Sequence, residues 1–573
     1  MTVDPMLRDR LAIWAELDEL LDRPEFDRNR TGINTTYTRL QAFGRALGPA
    51  TEIHGDPHRM LAGMEWAGTV DPAVMHAAMV HYGVATTALL ECGHPGAELE
   101  RLLAELDAMR APGTILVTEL GCGGSQVNVR TEARYHRETG RFTLHTPDDA
   151  ALKIMGNVGW PAVARTAVVN ARLLDGDTDH GTHAFAFRFP HPRASTARLP
   201  GSGPVPLDYA LIRFQQAEIP FDHWLSDNAS LTEDGFRDPL SAQQRLARSL
   251  GGVNAAVVAA AVALSAATRA TASTVARYCG QRRVGREGKP VLDFPTHSGE
   301  LASMLARTYA TGYYVGKVRR DFIAERNTGA GPAGTSVDAG HAPWLTAGHD
   351  RTLAKVAAAD TLETVGATGR RLCGLHGVLH ANRIIGYEGM AHSFHSAGGD
   401  TRLLLLEVGN QLVDRTEIST ATVSTTVERE PFPALPYVRL RERTLAEQLC
   451  NRADPDADLP GIETLARVHL QRRILEELET AWETAERTWR DLLWTVRRVY
   501  GIDVLLESAD WHLNNGTMRC GDLDSLHTEH TAACGQLLHR LDSLIDGLAV
   551  PPGRVDAFIG RGDYVQSLSA LLH

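Results

Sequence analysis

The sequence predicts a mainly helical protein with a β domain set between its helices and a further helical domain at its C-terminal side. Three observations carry this. Apolar residues recur at helical spacing from Met6 to about Arg110, with Leu7, Leu11, Trp14, Leu17 and Leu21 falling three or four apart. From Thr114 to about Leu225, short apolar runs lie between Gly, Pro and Asp turns, the texture of strands. Helical periodicity returns from Ser241 and, after a Pro-rich stretch, resumes to the end.

In chain order, residues 1–113 are expected to form a helical domain. Pro72-Ala-Val-Met-His-Ala-Ala-Met-Val opens one of its helices with Pro in the first turn. Residues 114–235 form the β domain. Its strands are read at Thr114-Ile-Leu-Val-Thr, Phe142-Thr-Leu-His-Thr, Ala167-Val-Val-Asn-Ala-Arg-Leu, His183-Ala-Phe-Ala-Phe-Arg-Phe and Tyr209-Ala-Leu-Ile-Arg-Phe. Residues 236–416 form a central helical domain with long helices at Arg245 to Tyr278 and Leu301 to Arg326, and Val284-Gly-Arg-Glu-Gly-Lys-Pro turns between them. A connector with Pro431, Pro433, Pro436, Pro455 and Pro460 occupies 417–460. The helical block 461–573 follows, where Leu475, Leu478, Trp482, Ala485, Trp489 and Leu492 read as one apolar face.

At 573 residues the chain is too long for a single core. With 43% hydrophobic and 22% charged residues it is globular, and a net charge of -12 argues against a nucleic-acid partner. The longest apolar candidate, Val257 to Ala267, falls short of the ~18 residues that a membrane helix needs, so no membrane is expected. Seven scattered cysteines without a C-x-x-C pair read as reduced thiols, not a metal site. Neither Met1-Thr-Val-Asp-Pro nor Ala570-Leu-Leu-His573 reads as an address signal, which gives a cytoplasmic expectation.

The strongest local signal is Thr118-Glu-Leu-Gly-Cys-Gly-Gly124-Ser125, directly after an apolar strand. A Gly-rich turn lets backbone amides approach a ligand, and a Thr hydroxyl can bond a flavin ring edge. By itself it is as well read as a glycine turn between strands. Further segments change that reading: Phe142-Thr-Leu-His-Thr-Pro before Lys153, Leu211-Ile-Arg-Phe-Gln-Gln-Ala-Glu-Ile-Pro-Phe-Asp, and Tyr278-Cys-Gly-Gln-Arg-Arg-Val-Gly before Pro290-Val-Leu-Asp-Phe-Pro-Thr-His. They are followed by Cys373-Gly-Leu-His-Gly, Trp511-His-Leu-Asn-Asn-Gly and Ile559-Gly-Arg-Gly-Asp-Tyr-Val. In this order they resemble motifs of the acyl-CoA oxidases and dehydrogenases, and the C-terminal segments resemble the extra helical domain of the oxidase branch.

The resemblance implies non-covalent FAD, a homodimer or larger assembly, and an acyl thioester on CoA or an acyl carrier protein as substrate. It implies cofactor contacts at Thr118, Gly124, Ser125, Arg282, Gly374, His376, Gly377 and Asp400. An Arg is suited to gripping pyrophosphate in two-pronged fashion; its ordinary alternative is a solvated ion pair, as a structural role is for His376. Glu119 is read as structural.

One departure matters most. The family's spacing, counted from His376, places its proton-abstracting Glu at Gly398, within Ser396-Ala-Gly-Gly-Asp-Thr-Arg402. Some members carry that Glu on the long helix after the β domain, but Ala242-Gln-Gln-Arg-Leu246 offers no carboxylate. Val378, Val284 and Ile154-Met155 also replace family aromatics. A positioned general base contributes roughly 10²–10⁴-fold in rate. Glu388 and His395 lie in the same stretch as candidate substitutes, with His392 beside them. Three functions stay open: oxidation of an acyl thioester with a non-standard base, flavin-dependent oxygenation or decarboxylating oxidation on the same scaffold, and an inactive partner subunit of an active paralogue.

Overall fold

Asp71 shows how the N-terminal helices start. Its carboxylate accepts from the Ala73 and Val74 amides (3.0 and 3.2 Å), and Pro72 supplies a φ suited to a first helical turn. The helix continues through a π-helical stretch, Val80–Thr86, to Cys92. Thr86 Oγ1 donates to the His81 carbonyl five residues back (2.8 Å), which is the π spacing. The computed structural model describes residues 4–27, 30–123, 128–201, 205–328, 348–414, 433–450 and 458–572.

The β domain contains β1 Gly113–Leu116, β2 Glu132–His136, β3 Arg141–His145, β4 Lys153–Asn157, β5 Arg165–Asp175, β6 Thr178–Phe189, β7 Ala194–Arg198, β8 Tyr209–Phe214, β9 Ala217–Pro220 and β10 Trp224–Leu225. One sheet runs β10-β6-β5-β2-β3-β9, with β1 also pairing parallel to β5, and a second runs β4-β8-β7. In the β5–β6 ladder Ala167 lies opposite Phe187 and Val169 opposite Phe185. Those residues share a core with Phe142, Ile212 and Trp224 from both sheets. All five strands read from the sequence are present; β2, β4, β7, β9 and β10 go beyond that reading.

The single helix expected from Arg245 to Tyr278 is two, Ala242–Ser249 and Val253–Gln281. The chain breaks at Gly252, where an added Cβ would lie 2.7 Å from the Val84 carbonyl oxygen. Val253–Gln281 is long and apolar enough to cross a membrane, as is Pro72–Cys92, which the sequence reading did not anticipate. The apolar stretch of Val253–Gln281 is wholly buried inside the fold, so it serves as a core helix. Its small side chains are the reason. Helix Pro57–Val70 packs so closely that a Cβ on Gly68 would sit 2.9 Å from the Ala263 carbonyl oxygen.

Helix Pro295–Thr328 packs on Val253–Gln281 and carries on its other side the C-terminal helices Leu459–Thr484, Arg487–Glu507 and Cys520–Leu538. The apolar face read as continuous from Leu475 to Leu492 is divided by a turn at Ala485, whose ψ of 145° ends the first helix. Trp489 then packs beside Tyr309 of Pro295–Thr328, their ring centroids 6.4 Å apart. Within 417–460, Ala434–Cys450 is helical; residues 415–432 and 451–457, with Pro431 and Pro455, lie outside the described residues.

Candidate functional site

Thr118 follows β1, half-buried, and its carbonyl accepts from the Ile154 amide of β4 (3.0 Å). Its hydroxyl takes no hydrogen-bond partner among the described residues. Glu119 is fully committed to structure. Its carboxylate accepts from the Arg130 and Thr131 amides (both 2.9 Å), from Thr131 Oγ1 (2.6 Å) and from Lys153 Nζ (3.0 Å). Burial pushes the Lys153 ammonium down to about 8, against the pull of Glu119. Gly121 presses on Ala150, where a Cβ would lie 2.6 Å from the Ala150 Cβ. Gly124 and Ser125 lie outside the described residues.

Arg282 ends Val253–Gln281, and its Nη1 donates to the Leu372 carbonyl (2.7 Å), close to the end of helix His349–Cys373. That bond ties Arg282 to the end of the helix that runs directly into the turn Gly374-Leu-His-Gly377. Gly374 has φ 56° and ψ -131°, a backbone that suits glycine. Gly377 is buried, and an added Cβ would lie 2.8 Å from the Arg370 Cα. His376 packs edge-on between Tyr278 (5.3 Å between centroids) and Tyr564 (5.6 Å), and its Nδ1 is buried without a hydrogen-bond partner. Tyr564 belongs to the C-terminal helix Tyr564–Ser569, held there by Gln281, whose Oε1 accepts from the Tyr564 amide and whose Nε2 donates to the Arg561 carbonyl.

The stretch with the departure links helices Ile384–Ser396 and Thr401–Asp414. Gly398 and Gly399 take φ of 69° and 97°, and a Cβ on Gly398 would meet nothing within 4 Å. Asp400 caps the following helix, accepting from the Arg402 and Leu403 amides (3.0 and 3.2 Å). Glu388 bonds Arg370 Nε (3.2 Å). His395 Nε2 meets Glu363 Oε2 (2.9 Å) while its Nδ1 meets Thr401 Oγ1 (3.2 Å), and His392 faces the same Glu363 (3.4 Å). Beneath them Lys355, fully buried, donates to the Gly399 carbonyl (2.7 Å). Burial pulls its ammonium down to about 7, with Asp400 and Asp360 opposing. Burial raises the Asp360 carboxyl despite Arg467 and His395.

The fold therefore joins Arg282 to the Gly374–Gly377 turn and groups Glu388, His392, His395, Gly398 and Asp400 along helix His349–Cys373. No hydrogen bond or ring contact among the described residues joins Thr118 to either group. Tyr564 and Lys355 were missed as site residues. A lone Lys in Thr352-Leu-Ala-Lys-Val-Ala-Ala-Ala was a legible sign of a buried cation, whereas nothing local placed Tyr564 on His376.

Helices, a β domain, helices and an appended helical block, with Arg282 bonded near the end of the helix that leads into the Gly374–Gly377 turn, define a fold of known type. Residues 254–413 match the family model for the acyl-CoA oxidase C-alpha1 domain. The chain is 27% identical over 324 residues to human peroxisomal acyl-coenzyme A oxidase 3, a match covering 52% of this chain and 45% of the relative. Against that relative it thus spans about half the length. The crystal structure of acyl-CoA oxidase 1 from Yarrowia lipolytica superimposes with a TM-score of 0.85 at 17% identity, covering 100% of this chain and 92% of that one. Acyl-CoA oxidase-2 of Caenorhabditis elegans, solved with FAD, ascaroside-CoA and ATP, gives 0.79 at 17% identity over 100% of this chain and 95% of that one. Residues 254–413 thus belong to the acyl-CoA oxidase C-alpha1 domain family, and the whole chain has the fold of acyl-CoA oxidases. The cytoplasmic expectation is overturned, because curated relatives from human and Arabidopsis thaliana are named as peroxisomal proteins.

Proposed function

We propose that this protein is an FAD-dependent oxidase of an acyl thioester, acting without a carboxylate at the position of Gly398. The observation that carries the reading is the Arg282 clasp on the Gly374–Gly377 turn, in a chain that follows an FAD-bound acyl-CoA oxidase from end to end. The residues present fit the cofactor. Arg282 keeps its remaining N–H groups for a phosphate, Thr118 keeps its hydroxyl for a ring edge, and His376 keeps a buried, unpartnered Nδ1. FAD bound there supplies the hydride acceptor. The α-proton falls to Glu388 or His395, each of which would have to part from its present partner, Arg370 or Glu363. Those same pairings favour a second reading, oxygenation, which requires no α-base. Leu375, Val378, Leu379 and Ile385 stand exposed around the turn, which supports a homodimer seated there.

The test is the visible spectrum of the FAD-loaded protein mixed anaerobically with acyl-CoA thioesters of graded chain length. The oxidase reading expects the flavin band to bleach, and His395→Asn or Glu388→Gln to slow the bleaching by at least about 10²-fold. Bound flavin that never bleaches with CoA or carrier-bound thioesters, but is reduced by a nicotinamide, moves the function to oxygenation.

A further inference from the structure

A cavity of about 30 Å³ lies between the N-terminal segment and the central helices. Its lining includes Asp4, Arg10, Glu65, Arg269, Gly312 and Tyr313. Arg10, Glu65 and Arg269 are 2%, 2% and 7% exposed. Arg10 Nε lies 3.1 Å from Glu65 Oε2, and Arg269 Nη2 lies 3.7 Å from Glu65 Oε1. Arg10 Nε and Glu65 Oε2 are close enough for an ion pair but make no aligned hydrogen bond, and Arg10 Nη1 and Arg269 Nε are likewise buried without a hydrogen-bond partner among the described residues. Asp4 accepts from Tyr313 Oη (3.0 Å).

Unpartnered donors outnumber the unpartnered acceptor, and a guanidinium only donates. An occupant must therefore accept hydrogen bonds, and the volume limits it to very few heavy atoms. The lining carboxylates Asp4 and Glu65 are matched by Arg10 and Arg269, and Arg319, 1% exposed, adds a third buried positive charge that Arg10 feels. Arg319 pairs with Asp9 (2.7 Å), which also lies 3.6 Å from Arg10 Nε, so the three arginines are faced by the three carboxylates Asp4, Asp9 and Glu65, of which Asp9 is half exposed to solvent. The unmade hydrogen bonds, all but one of them on donors, are what call for an acceptor.

We propose that this cavity is a binding site for a small monovalent anion of the halide class, held by Arg10 and Arg269, and that the anion fastens the N-terminal segment to the central helices. Arg10 comes from that segment, whereas Glu65, Arg269 and Gly312 come from helices Pro57–Val70, Val253–Gln281 and Pro295–Thr328. An anion shared by Arg10 and Arg269 thus ties the segment to one of those helices directly.

The experiment compares the full chain in sodium bromide and in sodium gluconate of equal ionic strength, gluconate being too large for the cavity. Bromide is expected to raise the melting temperature saturably by about 1–2 °C. A crystal grown in bromide is expected to show an anomalous peak between Arg10 and Arg269. A Cβ on Gly312 meets nothing within 4 Å, so Gly312→Val fills the space without touching a charge and is expected to abolish both signals. Arg269→Gln is expected to raise the bromide needed for half the effect at least about 10-fold. Equal melting in the two salts with no anomalous peak in the cavity overturns the proposal and leaves ordered water as the occupant. A bromide response that survives Gly312→Val overturns it as well.

Discussion

Single residues at the turn divide into those proposed to reach the cofactor and those whose smallness makes room. Arg282 belongs to the first kind, with one nitrogen on the Leu372 carbonyl. Hydrogen bonds to a charged group contribute about 1.5–3 kcal/mol, so Arg282→Ala should weaken FAD binding about 10–100-fold. Flavin fluorescence titration measures that loss, and Arg282→Lys should recover only part of it because a point charge cannot form the paired contact. Gly377 belongs to the second kind: a Cβ there runs into the Arg370 backbone. Gly377→Ala should cost about 1–3 kcal/mol in denaturant unfolding and lower flavin occupancy with it. Gly398 differs from both, since a Cβ there meets open space and only its φ of 69° disfavours a side chain.

Among the elements, the C-terminal helices are held to helix Pro295–Thr328 by a polar cluster. His530 of Cys520–Leu538 pairs with Asp503 of Arg487–Glu507 (2.9 Å), and Ser303 Oγ donates to Asp503 (3.1 Å). The hydrogen bond to Asp503, then that to Cys534, raises the His530 imidazole to about 10 against the cost of burial. A histidine whose folded value is raised is protonated in the folded state and neutral in the unfolded one between about 6.5 and 10. Its contribution is therefore fully present below about 6.5 and lost as the pH rises through about 10. The stability difference between the wild type and His530→Gln, measured by denaturant titration, should shrink steadily from pH 6.5 to pH 10. A difference that stays constant with pH would remove the ionic account of this contact.

For the whole molecule, the exposed apolar side chains around Gly374–Gly377 set the expectation. Leu375 is 76% exposed and Val378 49%, next to the turn proposed to hold the cofactor. Sedimentation of the wild type should give a dimer, and Leu375→Glu with Val378→Lys should shift it toward monomer and lower flavin retention together. Monomeric wild-type protein with full flavin retention would show that each chain completes its site alone. The same scale governs the C-terminal segment. Tyr564 reaches His376 through the Gln281 contacts, so removing residues from Phe558 onward should expose that imidazole and weaken FAD binding while the β domain stays folded.

Periodicity by itself determined much of the architecture: the five apolar strands, the helices around them, and the helix start at Pro72, to which the structure adds the Asp71 cap. These are local matters, fixed by side-chain spacing and by which backbone amides a nearby carboxylate can reach. The resemblance to a known family also singled out the proposed landmarks, Arg282, the Gly374–Gly377 turn and Gly398. What it could not show was how they meet. That Arg282 grips the Leu372 carbonyl, that His376 lies between Tyr278 and Tyr564, and that Glu388 and His395 are already paired depend on residues up to 188 positions apart (376 to 564). Burial was decided at the same level. The helix Val253–Gln281 would pass for a membrane span by composition, and only the helices packed against its small side chains make it a core. Lys355 and Arg10 have ordinary side chains in the sequence, and it is removal from water, which depends on every neighbour at once, that perturbs their charges.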